Sequence, residues 1–136
     1  MKKIVIIGAN DFQNQLILKA KEMGFETHVF AWQDGSIGER TADHFYPVSI
    51  VEIDEILEKC REIKPDAVAT IASDLANITV SKVAAGLGLP GNTPECIELS
   101  TNKYAMRSAF LKAGLPTPKF YKVDRVIPEL MEMELP

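Results

Sequence analysis

A lysine and an arginine mark the start of a late helix in this chain. Asn102-Lys103 opens a segment that closes at Ala113-Gly114-Leu115-Pro116. A cation in the first turn of a helix sits against the positive end of the helix dipole, which costs roughly 0.3–1 kcal/mol unless an anion lies nearby. Arg107 follows four residues later over the same face, where like charges repel by roughly 0.2–0.5 kcal/mol. The pair suits a phosphate or a carboxylate. A second candidate is the turn Gly8-Ala9-Asn10-Asp11-Phe12-Gln13, which follows an apolar β-branched run. Its backbone amides and helix N-terminus favour an anionic group, and Asn10, Asp11 and Gln13 can hydrogen-bond a polar substrate. A third is Ser73-Asp74, at the junction of another such run with a helix. The simplest role for Asp74 is to cap that helix; the functional role is for Ser73 and Asp74 to face the crevice beside Gly8.

Other chemistries are disfavoured by residue type and spacing. A dinucleotide fingerprint needs three glycines at fixed offsets, and here Asn10 and Gln13 hold two of the three places. Nicotinamide and flavin are therefore disfavoured, and so is a truncated oxidoreductase. No glycine-rich Walker loop is present. Cys60 and Cys96 fall in helix stripes and read as reduced and buried; without a nearby base, neither suits nucleophilic catalysis. His28 and His44 lie far apart in sequence, so no metal constellation is expected. Trp32, after the second strand, is of a type more often used in packing than as a ligand platform, and it is left unassigned.

These residues need a scaffold, and the pattern of apolar positions supplies one. Lys3 to Ile7 is apolar on both faces, as a covered strand of a parallel sheet should be. The following helix carries Phe12, Leu16, Ile17, Ala20 and Met23 at helical spacing and ends at Gly24, with Phe25 as the apolar clasp. Thr27 to Ala31 and His44 to Val48 read as strands. Ser49-Ile50-Val51-Glu52 reads as a capping box, with Val48 stapling onto Ile53. It precedes the stripe Ile53, Ile56, Leu57, Cys60 and Ile63, which Lys64-Pro65 stops. A strand over Ala67 to Ala72, a helix over Leu75 to Leu87, a short helix begun by Thr93-Pro94 and the Asn102 helix follow. Lys119 to Val123 reads as a strand and Ile127 to Met133 as a helix. Three helices end alike, at Met23-Gly24-Phe25, Leu87-Gly88-Leu89 and Ala113-Gly114-Leu115. Alternating strands and helices with short connections specify an α/β, three-layer Rossmann-like domain, its mostly parallel sheet covered by helices on both faces.

A length of 136 residues fits one domain, and 46% hydrophobic with 25% charged residues marks it as globular. A net charge of −4 gives no footprint for nucleic acid or an anionic membrane. The apolar run behind Met1-Lys2-Lys3 is too short for a signal peptide or a span, so a cytoplasmic location with small-molecule partners is expected.

Together these pieces resemble the N-terminal domain of ATP-grasp ligases, the group that includes biotin carboxylase, the large subunit of carbamoyl phosphate synthase and carboxylating purine-synthesis enzymes. The match runs through Ile4 to Gly8 with Gln13, Ala42-Asp43, Pro65-Asp66, Ser73-Asp74-Leu75-Ala76 and Leu87-Gly88-Leu89-Pro90-Gly91. Its most specific part is Asn102-Lys103-Tyr104-Ala105-Met106-Arg107 with Ala113-Gly114-Leu115-Pro116-Thr117-Pro118. Within the group the chain looks most like carbamoyl phosphate synthase large-subunit-like proteins. The resemblance implies that Lys103 contacts nucleotide phosphates, supported by Arg107. The usual residue before that lysine is aspartate, and Asn102 keeps only its cap role. Gly8, Asn10, Gln13, Ser73 and Asp74 would border a carboxylate or amine substrate. ATP and Mg2+ are the implied cofactors, with the magnesium ligands outside this chain. Residues 1–123 would be the domain preceding the ATP-grasp region, and 124–136 the start of the connection to it. The expectation is a fragment, inactive alone, whose partner is its own C-terminal ATP-grasp domain; a homodimer is an open option. The alternative is a stand-alone Rossmann-like module that binds a nucleotide or metabolite without catalysis.

Overall fold

The protein is described by a computed structural model covering residues 1–125; the helix expected over Ile127 to Met133 lies outside the described residues. The chain divides into two compact units, Met1–Ile97 and a second beginning at Glu98. The first holds β1 (Lys3–Ile7), α1 (Asp11–Glu22), β2 (Glu26–Phe30), α2 (Gly38–Thr41), β3 (His44–Tyr46), α3 (Ile53–Ile63), β4 (Ala67–Ala69) and α4 (Asp74–Leu87). The division falls within α5 (Pro94–Thr101), and α6 (Lys103–Lys112) lies in the second unit.

The sheet has four parallel strands in the order β3-β2-β1-β4. Because successive strand residues point to opposite faces, β1 feeds two cores at once. Val5 and Ile7 join Phe30 with Ile56, Cys60 and Ile63 of α3 and Ala76 and Val83 of α4. Ile6 joins Val29 with Ile17 and Ala20 of α1. Val5, Ile6, Ile7, Ile17, Ile56 and Val83 are fully buried, each stabilising the unit by about 1.5–3 kcal/mol before entropy is counted. The three-layer α/β architecture expected from the strand and helix alternation is thus present.

Local signals set the ends of the elements. Phe25, Leu89 and Leu115 each donate a backbone bond, of 3.0, 2.9 and 2.9 Å, to the carbonyl five residues back, with glycine at the left-handed position before them. Lys64 closes α3 in the left-handed conformation.

Five expectations are corrected. Phe12 and Met23 are 64% and 65% exposed. The face of α1 that meets the sheet carries Gln13, Asn14, Ile17 and Ala20, because Gln13 and Asn14 find internal hydrogen-bond partners. No capping box forms at Ser49: α3 begins at Ile53, Glu52 makes no side-chain cap, and the Ser49 hydroxyl reaches only the Val51 amide at 3.5 Å. β4 stops at Ala69, since the chain turns away through Ala72 at φ 55°. Residues 119–123 form no strand; Phe120 packs edge-on against the Tyr104 ring at 5.6 Å. Cys96 is exposed, while Cys60 is buried as expected.

Candidate functional site

The strand order creates a split between β1 and β4. α1 leaves β1 toward one face and α4 leaves β4 toward the other, and open parallel sheets bind ligands outside the carboxyl ends at such a point. Gly8 begins the crossing with φ 100° and donates its amide to the Phe30 carbonyl at 2.8 Å. A Cβ on Gly8 would lie 3.0 Å from the Gln13 side chain. Gln13, 1% exposed, donates Nε2 to the Ile71 carbonyl at 2.5 Å and so straps the start of α1 to the segment after β4. The Thr70 hydroxyl donates to the Ile7 carbonyl at 2.7 Å, a second tie across the split. These bonds hold Ala72 in a left-handed conformation that costs a non-glycine residue about 1–2 kcal/mol, and such strain is concentrated at functional turns.

Gly8, Asn10, Gln13 and Ser73 converge on one hollow of about 210 Å³. Asp74 lines an adjoining hollow of about 420 Å³ with Thr70, Ser73 and Asn77. The structure therefore brings all five residues named for the substrate side to one edge of the first unit. Two details differ from the sequence reading. Ser73, not Asp74, caps α4, accepting from the Ala76 amide at 3.1 Å, which leaves Asp74 in the first turn. At α1 the Asn10 carboxamide oxygen accepts from the Phe12 and Gln13 amides at 2.9 and 3.4 Å. Those two helix donors are used by the protein itself. The Asn10 NH2 takes no part in this cap.

The loop after β2 supplies the far wall of the smaller hollow and was not assigned a site role from sequence. Trp32, left without a role by the sequence, is 69% exposed and lines the hollow with Asp34 and Ser36. The Ser36 hydroxyl and amide donate to Asp34 Oδ1 at 2.5 and 3.0 Å, holding the Asp34 carboxyl below the usual carboxylate range. The available signal was the run Asp34-Gly35-Ser36, in which an aspartate can bond the backbone two residues on. Gly38 presses its amide against the Ala9 carbonyl at 2.9 Å, and a Cβ there would meet that oxygen at 2.6 Å.

In the second unit Lys103 is the exposed first residue of α6 and Arg107 is half-buried one turn later. Asn102 caps the helix, its side-chain oxygen accepting from the Tyr104 and Ala105 amides at 3.1 Å each. Its NH2 donates to Glu98 Oε1 at 2.7 Å. A carboxylate of the protein's own thus lies near the positive end of α6, so the dipole alone does not demand a bound anion. Tyr104, with Lys122 lying over its ring at 5.7 Å, lines a hollow of about 560 Å³ within this unit.

The histidines, expected from their separation in sequence to form no metal constellation, are brought together with Glu26 by the fold. β2 and β3 pair in a register that sets His28 opposite His44. Their rings stack with centroids 4.5 Å apart, and Glu26 Oε1 lies 3.1 and 2.9 Å from the two Nε2 atoms. Burial, then the neighbouring His44, lower the His28 pKa. The cluster sits at the amino ends of the strands, opposite the crevice.

No protein-family model and no curated protein sequence matches the chain. Solved structures do. Phosphoribosylglycinamide synthetase from Anaerococcus prevotii superposes with a TM-score of 0.71 at 27% identity, over 83% of this chain and 29% of that one. L-amino acid ligase from Bacillus licheniformis gives 0.80 at 23% identity, over 99% of this chain and 35% of that one. The biotin carboxylase domain of 2-oxoglutarate carboxylase from Hydrogenobacter thermophilus, in complex with MgADP, ADP and bicarbonate, gives 0.69 at 20% identity, over 85% and 28%. The chain thus spans about a third of the length of the structures it matches. Among the described residues no helix is long and apolar enough to cross a membrane. The chain has the fold of the N-terminal domain of ATP-grasp ligases.

Proposed function

We propose that this chain is the substrate-side domain of an ATP-dependent carboxylate–amine ligase, of the carbamoyl phosphate synthase-like kind, that works in the cytoplasm through an acyl phosphate. The observation that carries the reading is the fold, shared at 27% identity with phosphoribosylglycinamide synthetase and presenting, at the split in its sheet, a hollow in which Asn10, Gln13, Asp34 and Ser73 stand among apolar side chains. In this chemistry a carboxylate oxygen attacks the γ-phosphorus of ATP, releasing ADP, and the amine then attacks the acyl carbon and expels phosphate. Mg2+ and positioned cations neutralise the charge that builds on the phosphoryl oxygens. Lys103 and Arg107 are the residues proposed to meet the nucleotide phosphates. Gly8, Asn10, Gln13, Ser73 and Asp74 are proposed to border the substrate, with Asn10 donating through its NH2. The described residues bring together one cluster of metal-ligating type, Glu26, His28 and His44, whose nitrogen donors suit a softer ion than Mg2+. The magnesium ligands are accordingly assigned to an ATP-grasp region following residues 124–136. MgADP and bicarbonate in the Hydrogenobacter domain support ATP and Mg2+ as the cofactors.

A second reading, a metabolite-binding module without catalysis, draws on one observation: the smaller hollow is lined wholly by residues of the first unit. The encoding reading frame separates the two, because continuation into an ATP-grasp region supports the ligase and a stop after Pro136 supports the module. The direct test is a screen of the intact protein for ADP and phosphate release against a panel of carboxylic and amino acids. Release that requires both a carboxylate and an amine supports the ligase; binding without turnover across the panel refutes it. In the same protein Lys103→Ala should weaken ATP binding with little loss of stability.

A further inference from the structure

The cluster at the amino end of the sheet stands apart from the crevice and from any ligase chemistry. Three ligand-bearing side chains from two strands meet there, with one ligand atom from each lying within 4.8 Å of the others. Around a tetrahedral zinc with bonds of about 2.0–2.1 Å, ligand atoms lie about 3.4 Å apart. Glu26 Oε1 is already 3.1 Å from His28 Nε2 and 2.9 Å from His44 Nε2. An ion replacing the shared proton would move this oxygen by only a few tenths of an ångström.

The surroundings fit ligation. His28 is 4% exposed and shares a hydrogen bond of 2.9 Å between Nδ1 and the Tyr46 hydroxyl. When that hydroxyl accepts, the proton is fixed on Nδ1 and the Nε2 lone pair is left toward Glu26. Ligating histidines almost always carry an outer partner of this sort, which sets tautomer and ring angle. His44 is half exposed, so its ring can turn from the stack until its own lone pair converges on the same point. Its open side leaves a fourth position to water. The nearby positive charge is Lys3, the register partner of Glu26, and its ammonium is drawn to the Ile63 carbonyl at 3.2 Å.

We propose that Glu26, His28 and His44 form a three-ligand site for a divalent transition metal, with zinc as the ion that two imidazoles, one carboxylate and a water select. The ion would join the start of β2 to the edge strand β3, adding to the three register pairs and the Asp43 bonds to Thr27 that already hold this edge.

The test uses untagged protein carrying Cys96→Ser, because Cys96 is exposed and would compete for the ion. Zinc is titrated calorimetrically, and cobalt(II) by its visible absorption. Saturable binding at one ion per chain, with a raised melting temperature, is expected. His44→Asn and Glu26→Gln should each abolish it while leaving the metal-free melting temperature within a few degrees of the parent. Tyr46→Phe should retain the stoichiometry and raise the dissociation constant about 10–100-fold. Absence of saturable binding in the parent, or one-to-one binding that survives His44→Asn, overturns the proposal.

Discussion

Asp43 should make acid stability of the first unit depend on one carboxylate. It accepts from the Thr27 amide at 2.9 Å, from the Thr27 hydroxyl at 2.7 Å and from the Lys21 ammonium at 2.7 Å. In this way it ties α1, β2 and the start of β3 together. The Lys21 hydrogen bond, aided by the Thr27 donors and opposed by burial, takes its pKa from 3.8 to about 2. That difference corresponds to at most about 2.5 kcal/mol, at about 1.4 kcal/mol per pH unit. The Lys21 and Asp43 side chains are 37% and 34% exposed, so solvent screens the pair and the working figure falls to about 1 kcal/mol. Because the folded-state pKa is depressed, this stability is fully present above the unfolded value near 4 and is lost as pH falls through about 2. Urea unfolding followed by circular dichroism should place Asp43→Asn about 1 kcal/mol below the parent at neutral pH. The gap should hold down to about pH 4 and close by about pH 2. Parallel pH profiles for the two proteins across that window would mean that the carboxylate is not held as described.

Gly38→Ala should destabilise the first unit by about 1–3 kcal/mol, as overpacking does, because its Cβ would press on the Ala9 carbonyl at 2.6 Å; a melting temperature equal to the parent's refutes the contact. Gln13→Leu should cost about 1–3 kcal/mol by leaving the Ile71 carbonyl without its donor, and hydrogen exchange should be faster at the start of α4 than in the parent. Burial pushes the Cys60 thiol up to about 12, whereas Cys96 is exposed. Native protein at pH 8 should therefore react with one equivalent of a thiol reagent and with two after unfolding; two fast equivalents in the native state would contradict the burial of Cys60.

The scaffold was legible wherever its cause is local. Glycine helix ends, the Asn102 and Thr93 starts and the Ile56-Cys60-Ile63 stripe depend on neighbours a few residues away, and each lies where the pattern put it. The phase of α1 was not legible, because Gln13 and Asn14 are buried by partners, Ile71 and Thr41, that sequence cannot bring alongside. Residues 119–123 have strand-like composition, yet they pair with no strand. That Gly8, Asn10, Gln13, Ser73 and Asp74 lie at one edge was legible because a turn after a covered strand is a recognisable place. The Trp32 and Asp34 wall and the His28–His44 stack were missed for one shared reason. Both arise from strand register and loop return, which join residues sixteen or more positions apart.

The strap from Gln13 to Ile71 has a consequence for how this edge of the sheet can respond to a guest. With the start of α1 bound at 2.5 Å to the segment between β4 and α4, an outward swing of either side must first break this bond. If the proposed substrate enters at this split, the strapped side would yield less readily than the loop that carries Trp32.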